Sequence, residues 1–135
     1  MAQQKGLAGV GVEPRGRRRG VAITVTQPTV KEIQGIARYA DTVSEVADLY
    51  QRTGLELRAI IPCIVPPRTA GQLYTDGLQM LTDTWPDLVT PTIRRTVRVT
   101  ESYGRGTPLP VWDPSGDVTG DHRTVLAWLT ERGVL

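Results

Sequence analysis

The chain has 135 residues, 39% of them apolar, and 16 Lys or Arg against 14 Asp or Glu give a formal net charge of +2. That length bounds it to one domain. No run approaches the ~18 apolar residues of a membrane span and no charged-then-apolar leader opens it, so a cytoplasmic protein without a membrane partner is expected.

Residues 1–20, MAQQKGLAGVGVEPRGRRRG, follow neither a helical nor a strand period and read as a flexible, basic Gly/Arg-rich arm. Gly6 and Gly11 have the spacing of a phosphate-binding loop. Such a loop needs Lys and then Ser or Thr next, for the phosphates and the metal, and here Val12 and Glu13 follow. The arginines from 15 to 19 form either a nucleic-acid contact or a solvated tail. Charge is unevenly spread. Residues 1–20 hold five cations against Glu13, and residues 91–110 hold four arginines against Glu101, so on a chain of net +2 the remainder is acidic, at −5. Two basic zones on an acidic body suit a polyanionic partner.

Residues 21–26, VAITVT, read as a short buried strand that Pro28 ends. Thr29 and Glu32 form a capping box. The helix they open is predicted to run to about Tyr50, with Val30, Ile33, Ile36, Ala37, Ala40, Val43, Ala47 and Tyr50 inward. Gly35 inside it is read as a close approach to a strand, and Gly54 as the end of the following turn. Residues 57–65, LRAIIPCIV, form the second strand. Pro62 cannot donate to a ladder, which predicts an edge position or a bulge there. Cys63, the only cysteine, lies in this run and reads as a small buried hydrophobe, with no internal disulfide possible.

Thr69 and Gln72 make a second capping box, for a helix with Leu73, Tyr74, Leu78, Leu81 and Trp85 inward and Pro86 as its stop. Residues 88–93, LVTPTI, are a third strand interrupted by Pro91. A basic, Pro/Gly-rich loop follows, carrying Arg94, Arg95, Arg98 and Arg105. Thr119 or Asp121 caps a last helix to about Arg132, with Val125, Leu126, Trp128 and Leu129 inward and Gly133 at its end. His122 is the only histidine. It has no Cys, His or Ser pattern beside it and reads as a solvent-facing first-turn residue, not a metal ligand or catalyst. The order β, α, β, α, β, loop, α implies an α/β fold with a parallel sheet and right-handed crossovers.

The stretch from Ile93 to Pro114 resembles a known motif. It reads Ile93-Arg94-Arg95-Thr96-Val97-Arg98-Val99-Thr100-Glu101-Ser102, then Gly104, Pro108 and Trp112-Asp113-Pro114. In ParA/MinD-type partition ATPases the last core strand runs into a similar I-P-R-S-V-R-L-x-E-A, a Gly, K-P-V and an aromatic-D-P. Gln4-Lys5-Gly6, Gly35 and the Arg68-Thr69 pair are also similar to features of that family. The resemblance covers residues 21–135, and it implies a partial parallel sheet with flanking helices, like the C-terminal half of a P-loop NTPase fold. The phosphate-loop half, with its switch carboxylates, is then absent, and the chain is truncated relative to the family.

Family members are ATP-dependent dimers that coat DNA nonspecifically and segregate plasmids or chromosomes. The resemblance therefore implies nonspecific DNA binding through Arg94, Arg95, Arg98 and Arg105, with no catalytic residues in this chain. The structural alternative is that Arg98 pairs with Glu101 and the other arginines are solvated. Arg94 and Glu101 are also candidates for nucleotide contact, although the family places a Pro against the base where this chain has Arg94. ATP and Mg²⁺ are the family's cofactors, and none is expected for this chain alone. Two further readings stand beside this one: an ATPase whose nucleotide site a second chain completes, and a non-functional remnant. The outer edge of strand 21–26 is expected to be bare, which implies self-association or a partner protein.

Overall fold

The computed structural model describes residues 20–52 and 54–135. The phosphate-loop-like spacing at Gly6 to Gly11, the arginine run and, apart from Gly20, the whole arm lie outside the described residues. The elements are β1 (Val21–Thr26), α1 (Val30–Leu49), β2 (Glu56–Pro62), a 3-10 turn (Arg68–Ala70), α2 (Gln72–Thr84), α3 (Val97–Gly104), α4 (Leu109–Trp112) and α5 (Asp117–Glu131).

β1 and β2 pair in parallel from Val21↔Glu56 to Thr26↔Pro62, with an irregularity between Ala22 and Ile23. A third segment lies on the other side of β2. It is not the continuous strand expected over 88–93 but makes two parallel bridges, Ile60↔Val89 and Val65↔Arg94. The reason is the pair of prolines, which cannot donate. Ile60 N–H donates to Leu88 O at 2.8 Å and Thr90 N–H to Ile60 O at 3.0 Å. Pro62 and Pro91 then supply no N–H between the strands, and pairing resumes only where Ile93 N–H reaches Pro62 O at 2.9 Å. β2 is thus flanked on both sides, not at an edge, and the bulge is in β1 rather than at Pro62. Pro62 is tolerated as the last residue of the strand, because Cys63 N–H takes over the ladder with a 2.8 Å bond to Thr26 O.

Helices cover both faces of this sheet. On one face Ile33 and Ile36 of α1 and Leu81 of α2 pack on Ile60, with Leu57, Leu78, Trp85, Leu88 and Val89 around them. On the other, Val125 and Leu129 of α5 and Val134 pack on Ala59, flanked by Val21, Ile23, Ile61, Ile93 and Trp128. β2 contributes to both clusters because alternate residues of a strand point to opposite faces.

Several local expectations change. Thr29 is the extended N-cap of α1, but its hydroxyl donates to the Glu32 carboxylate at 2.9 Å instead of receiving a backbone N–H. α2 is capped by Gly71 at φ 132°, not by Thr69, which sits in the 3-10 turn. Leu73 and Leu126, expected inward, are 63% and 54% exposed. Gly35 does not approach a strand: a Cβ there would meet nothing within 4 Å. The close approach is at Gly77 of α2, where a Cβ would lie 2.3 Å from Pro28 O. α5 begins at Asp117 behind Gly116, two residues before Thr119. Its end is as read: Gly133 has φ 69° and Val134 N–H closes onto Leu129 O at 2.9 Å.

Candidate functional site

The segment expected as a basic loop contains α3, a helix of eight residues, Val97–Gly104. Thr96 starts it by ordinary capping, its hydroxyl accepting from Arg98 N–H at 3.2 Å. Ser102 is buried in α3, and its hydroxyl donates to Thr107 O, which ties the end of α3 to the crossing that follows. α4 then starts with Pro110 at its N-terminus, and Thr119 Oγ1 donates to Asp113 O at 2.6 Å, fixing the turn into α5.

These elements close over the carboxyl ends of the strands, where open parallel sheets bind ligands. A half-open cavity of about 530 Å³ lies there. Its apolar wall is Val25, Ile61, Ile64, Ile93, Val99 and Val125, with Cys63 beside them, and its polar rim includes Arg94, Arg95, Thr96, Thr100 and His122. Cys63 is half-buried, and burial pushes its thiol pKa up, away from thiolate reactivity. His122 is exposed, with Nδ1 2.9 Å from Val118 O.

The four candidate arginines have different environments. Arg94 is bound to α5. Its backbone N–H donates to Asp121 Oδ2 at 3.0 Å, its Nε to the same oxygen at 2.9 Å and its Nη2 to Oδ1 at 3.0 Å. Asp117 approaches Nη1 at 3.3 Å. This is the bidentate fork geometry of the strongest ion pairs. The hydrogen bond to Asp121, reinforced by that carboxylate's charge, raises the Arg94 pKa further. Burial of the Asp121 carboxyl pushes its pKa up. The hydrogen bonds from Arg94 and the nearby positive charge outweigh that, and the carboxyl titrates below its ordinary value. Asp117 and Asp121 also stand in the first two turns of α5, where the helix dipole favours carboxylates.

Arg98 has looser partners, Glu101 at 3.6 Å and Asp113 at 3.7 Å. Arg105 lies over the Trp112 ring at 4.9 Å from its centroid, in cation–π geometry. Arg95 is exposed, and its backbone N–H donates to Val65 O at 2.8 Å; no carboxylate partner is found for its side chain among the described residues. Glu101 does not line the cavity, so Arg94 and Glu101 are not brought together. The acidic partners of Arg94 were not legible: Asp117 and Asp121 lie more than twenty residues downstream, and no local spacing signals them. Among the described residues no three His, Cys, Asp or Glu side chains gather as a metal site would require. No described helix is long and apolar enough to cross a membrane.

No protein-family model and no curated protein sequence matches the chain. Two solved structures of McdA from Cyanothece have a similar fold. The ATP complex of a variant aligns with a TM-score of 0.64 at 17% identity, over 80% of this chain and 43% of that one. The apo protein aligns with a TM-score of 0.64 at 16% identity, over 79% and 44%. The chain thus spans less than half the length of these structures. McdA is a P-loop ATPase, and the α/β class expected from the sequence, a parallel sheet with flanking helices, is the one observed.

Proposed function

We propose that this chain is a ParA/MinD-type unit of a DNA partition or positioning system, that it lies on duplex DNA without reading sequence, and that it does not itself hydrolyse ATP. What carries the reading is the fold shared with McdA, a ParA/MinD-type ATPase, together with the family-like Ile93–Pro114 stretch that sets α3 and its arginines at the carboxyl ends of the strands. Phosphate contacts need exposed guanidinium groups and no base-edge geometry.

Arg95 and Arg105 fit that role best, because neither is held by a carboxylate in the described structure. Arg98 joins them, since its long, exposed pairs give way to a phosphate at little cost. Arg94 acts differently. Its fork is filled by Asp121, so it holds α5 against the strand ends and sets the position of α3. Glu101, Asp113, Asp117 and Asp121 offset much of the arginine charge, which makes the contact weak and strongly salt-dependent. Hydrolysis is left out because Gly11 is followed by Val12 and Glu13, which cannot neutralise a transferring phosphoryl group.

Fluorescence anisotropy with two unrelated labelled duplexes tests the proposal. Similar affinity for both, at low salt and without ATP, is expected; sequence preference or no binding at low salt contradicts it. The cavity favours a second reading, in which it takes the base of a nucleotide whose phosphates another chain holds. Micromolar binding of a fluorescent ATP analogue, lost when the cavity is filled by Val25→Trp, would favour that reading over the first.

A further inference from the structure

α1 carries an apolar stripe that the fold leaves uncovered. Its buried face is Ile33, Ile36 and Val43. About a quarter-turn away, at 3.6 residues per turn, run Gly35, Tyr39, Thr42, Val46 and Leu49. Leu49 is 74% exposed and Val46 39%, and Tyr50 beside them is 66% exposed. The spacing alternates four and three residues, the repeat with which one helix packs along another.

The stripe lies on the flank of α1 turned away from α2, because α2 meets α1 at Ile33, on the other flank, through Gly77. A groove of about 270 Å³ joins the Gly35 end of the stripe to Thr24, Val25 and Thr26 of β1. β1 pairs only with β2 among the described residues, and none of its six residues is charged. Edge strands that avoid pairing carry Lys, Pro or inward charges; β1 has none of these. An open strand edge and an apolar helix flank therefore share one side of the molecule.

We propose that this side binds a second copy of the chain about a two-fold axis through Thr42, normal to the sheet. The pattern is self-complementary about that residue. Antiparallel pairing of α1 with its mate sets Gly35 opposite the second copy's Leu49 and Tyr39 beside its Val46. It also sets Arg38 beside the second copy's Glu45, twice by symmetry, at the flanking positions where charge selects orientation in packed helices. Gly35 is the one stripe residue that leaves room for an opposing Leu, which accounts for an exposed glycine with open space above it. The same rotation runs the two β1 edges antiparallel and keeps each sheet face on its own side. Val21, Ile23 and Val25 of both copies then form one apolar row. This dimer is independent of the DNA reading.

Sedimentation velocity on the full chain tests it. A dimer is expected at micromolar concentration, and Val46→Glu with Leu49→Glu is expected to give a monomer with unchanged far-UV circular dichroism. Arg38→Glu alone is expected to weaken the dimer by about tenfold, and adding Glu45→Arg to restore it. On a Cys63→Ser background, Thr42→Cys is expected to form a disulfide-linked dimer on oxidation, and Ser44→Cys, on the opposite flank, is not. A folded monomer at 100 µM would overturn the proposal, as would a dimer indifferent to Val46→Glu, equal cross-linking at positions 42 and 44, or failure of the double charge reversal to restore a dimer that the single one weakens.

Discussion

Gly77→Ala and Gly120→Ala make the same chemical change in two helices, and the packing predicts opposite outcomes. In α2, a Cβ on Gly77 would lie 2.3 Å from Pro28 O and 3.0 Å from Pro28 C. Ordinary contacts need about 3.5 Å, so something must move by roughly 1 Å. The atoms in the way are backbone, in a fully buried proline, and no side chain can rotate aside. Overpacking of this kind costs about 1–3 kcal/mol, and a 1 Å shift of buried backbone belongs at the upper end. Alanine recovers about 1 kcal/mol of helix propensity, which leaves a net loss of about 2 kcal/mol. In α5, a Cβ on Gly120 meets nothing within 4 Å, so only the propensity gain of up to about 1 kcal/mol remains. At about 4 °C per kcal/mol for a domain of this size, thermal unfolding by circular dichroism is expected to show Tm lowered by about 8 °C for Gly77→Ala and raised by up to about 4 °C for Gly120→Ala. A Gly77→Ala protein as stable as the parent would refute the close α2-to-β1 loop packing and the reasoning built on it.

Ile60 is completely buried where both helical layers meet the sheet, so Ile60→Ala is expected to cost about 2–5 kcal/mol in urea unfolding. Asp121→Asn removes the acceptor that holds Arg94. The folded Asp121 carboxyl has a lowered pKa, so its contribution is present above the unfolded carboxylate value of about 4 and is lost as pH falls through the folded value. The variant is therefore expected to melt below the parent near neutral pH and to converge with it only in acid, below about pH 4. Cys63 is expected to react slowly with Ellman's reagent in the folded protein and quickly in guanidinium, because burial raises its pKa and half-covers it.

The strand–helix alternation was readable because its signals are local. Pro28 stops β1, the period of Ile33, Ile36 and Val43 writes the buried face of α1, and Gly133 ends α5. What escaped is non-local or contradictory at the residue level. The run 88–93 reads as a strand by its β-branched residues, yet Pro62, a quarter of the chain away, faces Pro91 and removes the donors from the middle of the ladder. α3 was hidden because Val97, Val99 and Thr100 favour strands and Gly104 and Gly106 suggest a loop; the cap at Thr96 and the helical spacing of Arg98 and Glu101 were the available signals. The Glu101 pairing of Arg98 was legible as an alternative for that reason. The Arg94–Asp121 fork was not, since it depends on where α5 returns. Gly35 and Gly77 look alike in sequence, and only the packing shows that the second is sterically required.

The central claim, that the arginines at the carboxyl ends of the strands meet DNA phosphates, is tested most directly by the salt dependence of duplex binding in the parent and in an Arg95→Ala, Arg98→Ala, Arg105→Ala protein. Three phosphate contacts predict a slope of log K against log salt of about −2.7, and their loss a change of about that size with the fold intact by circular dichroism. An unchanged slope in the triple variant, or parent affinity that does not fall as salt rises, contradicts the account.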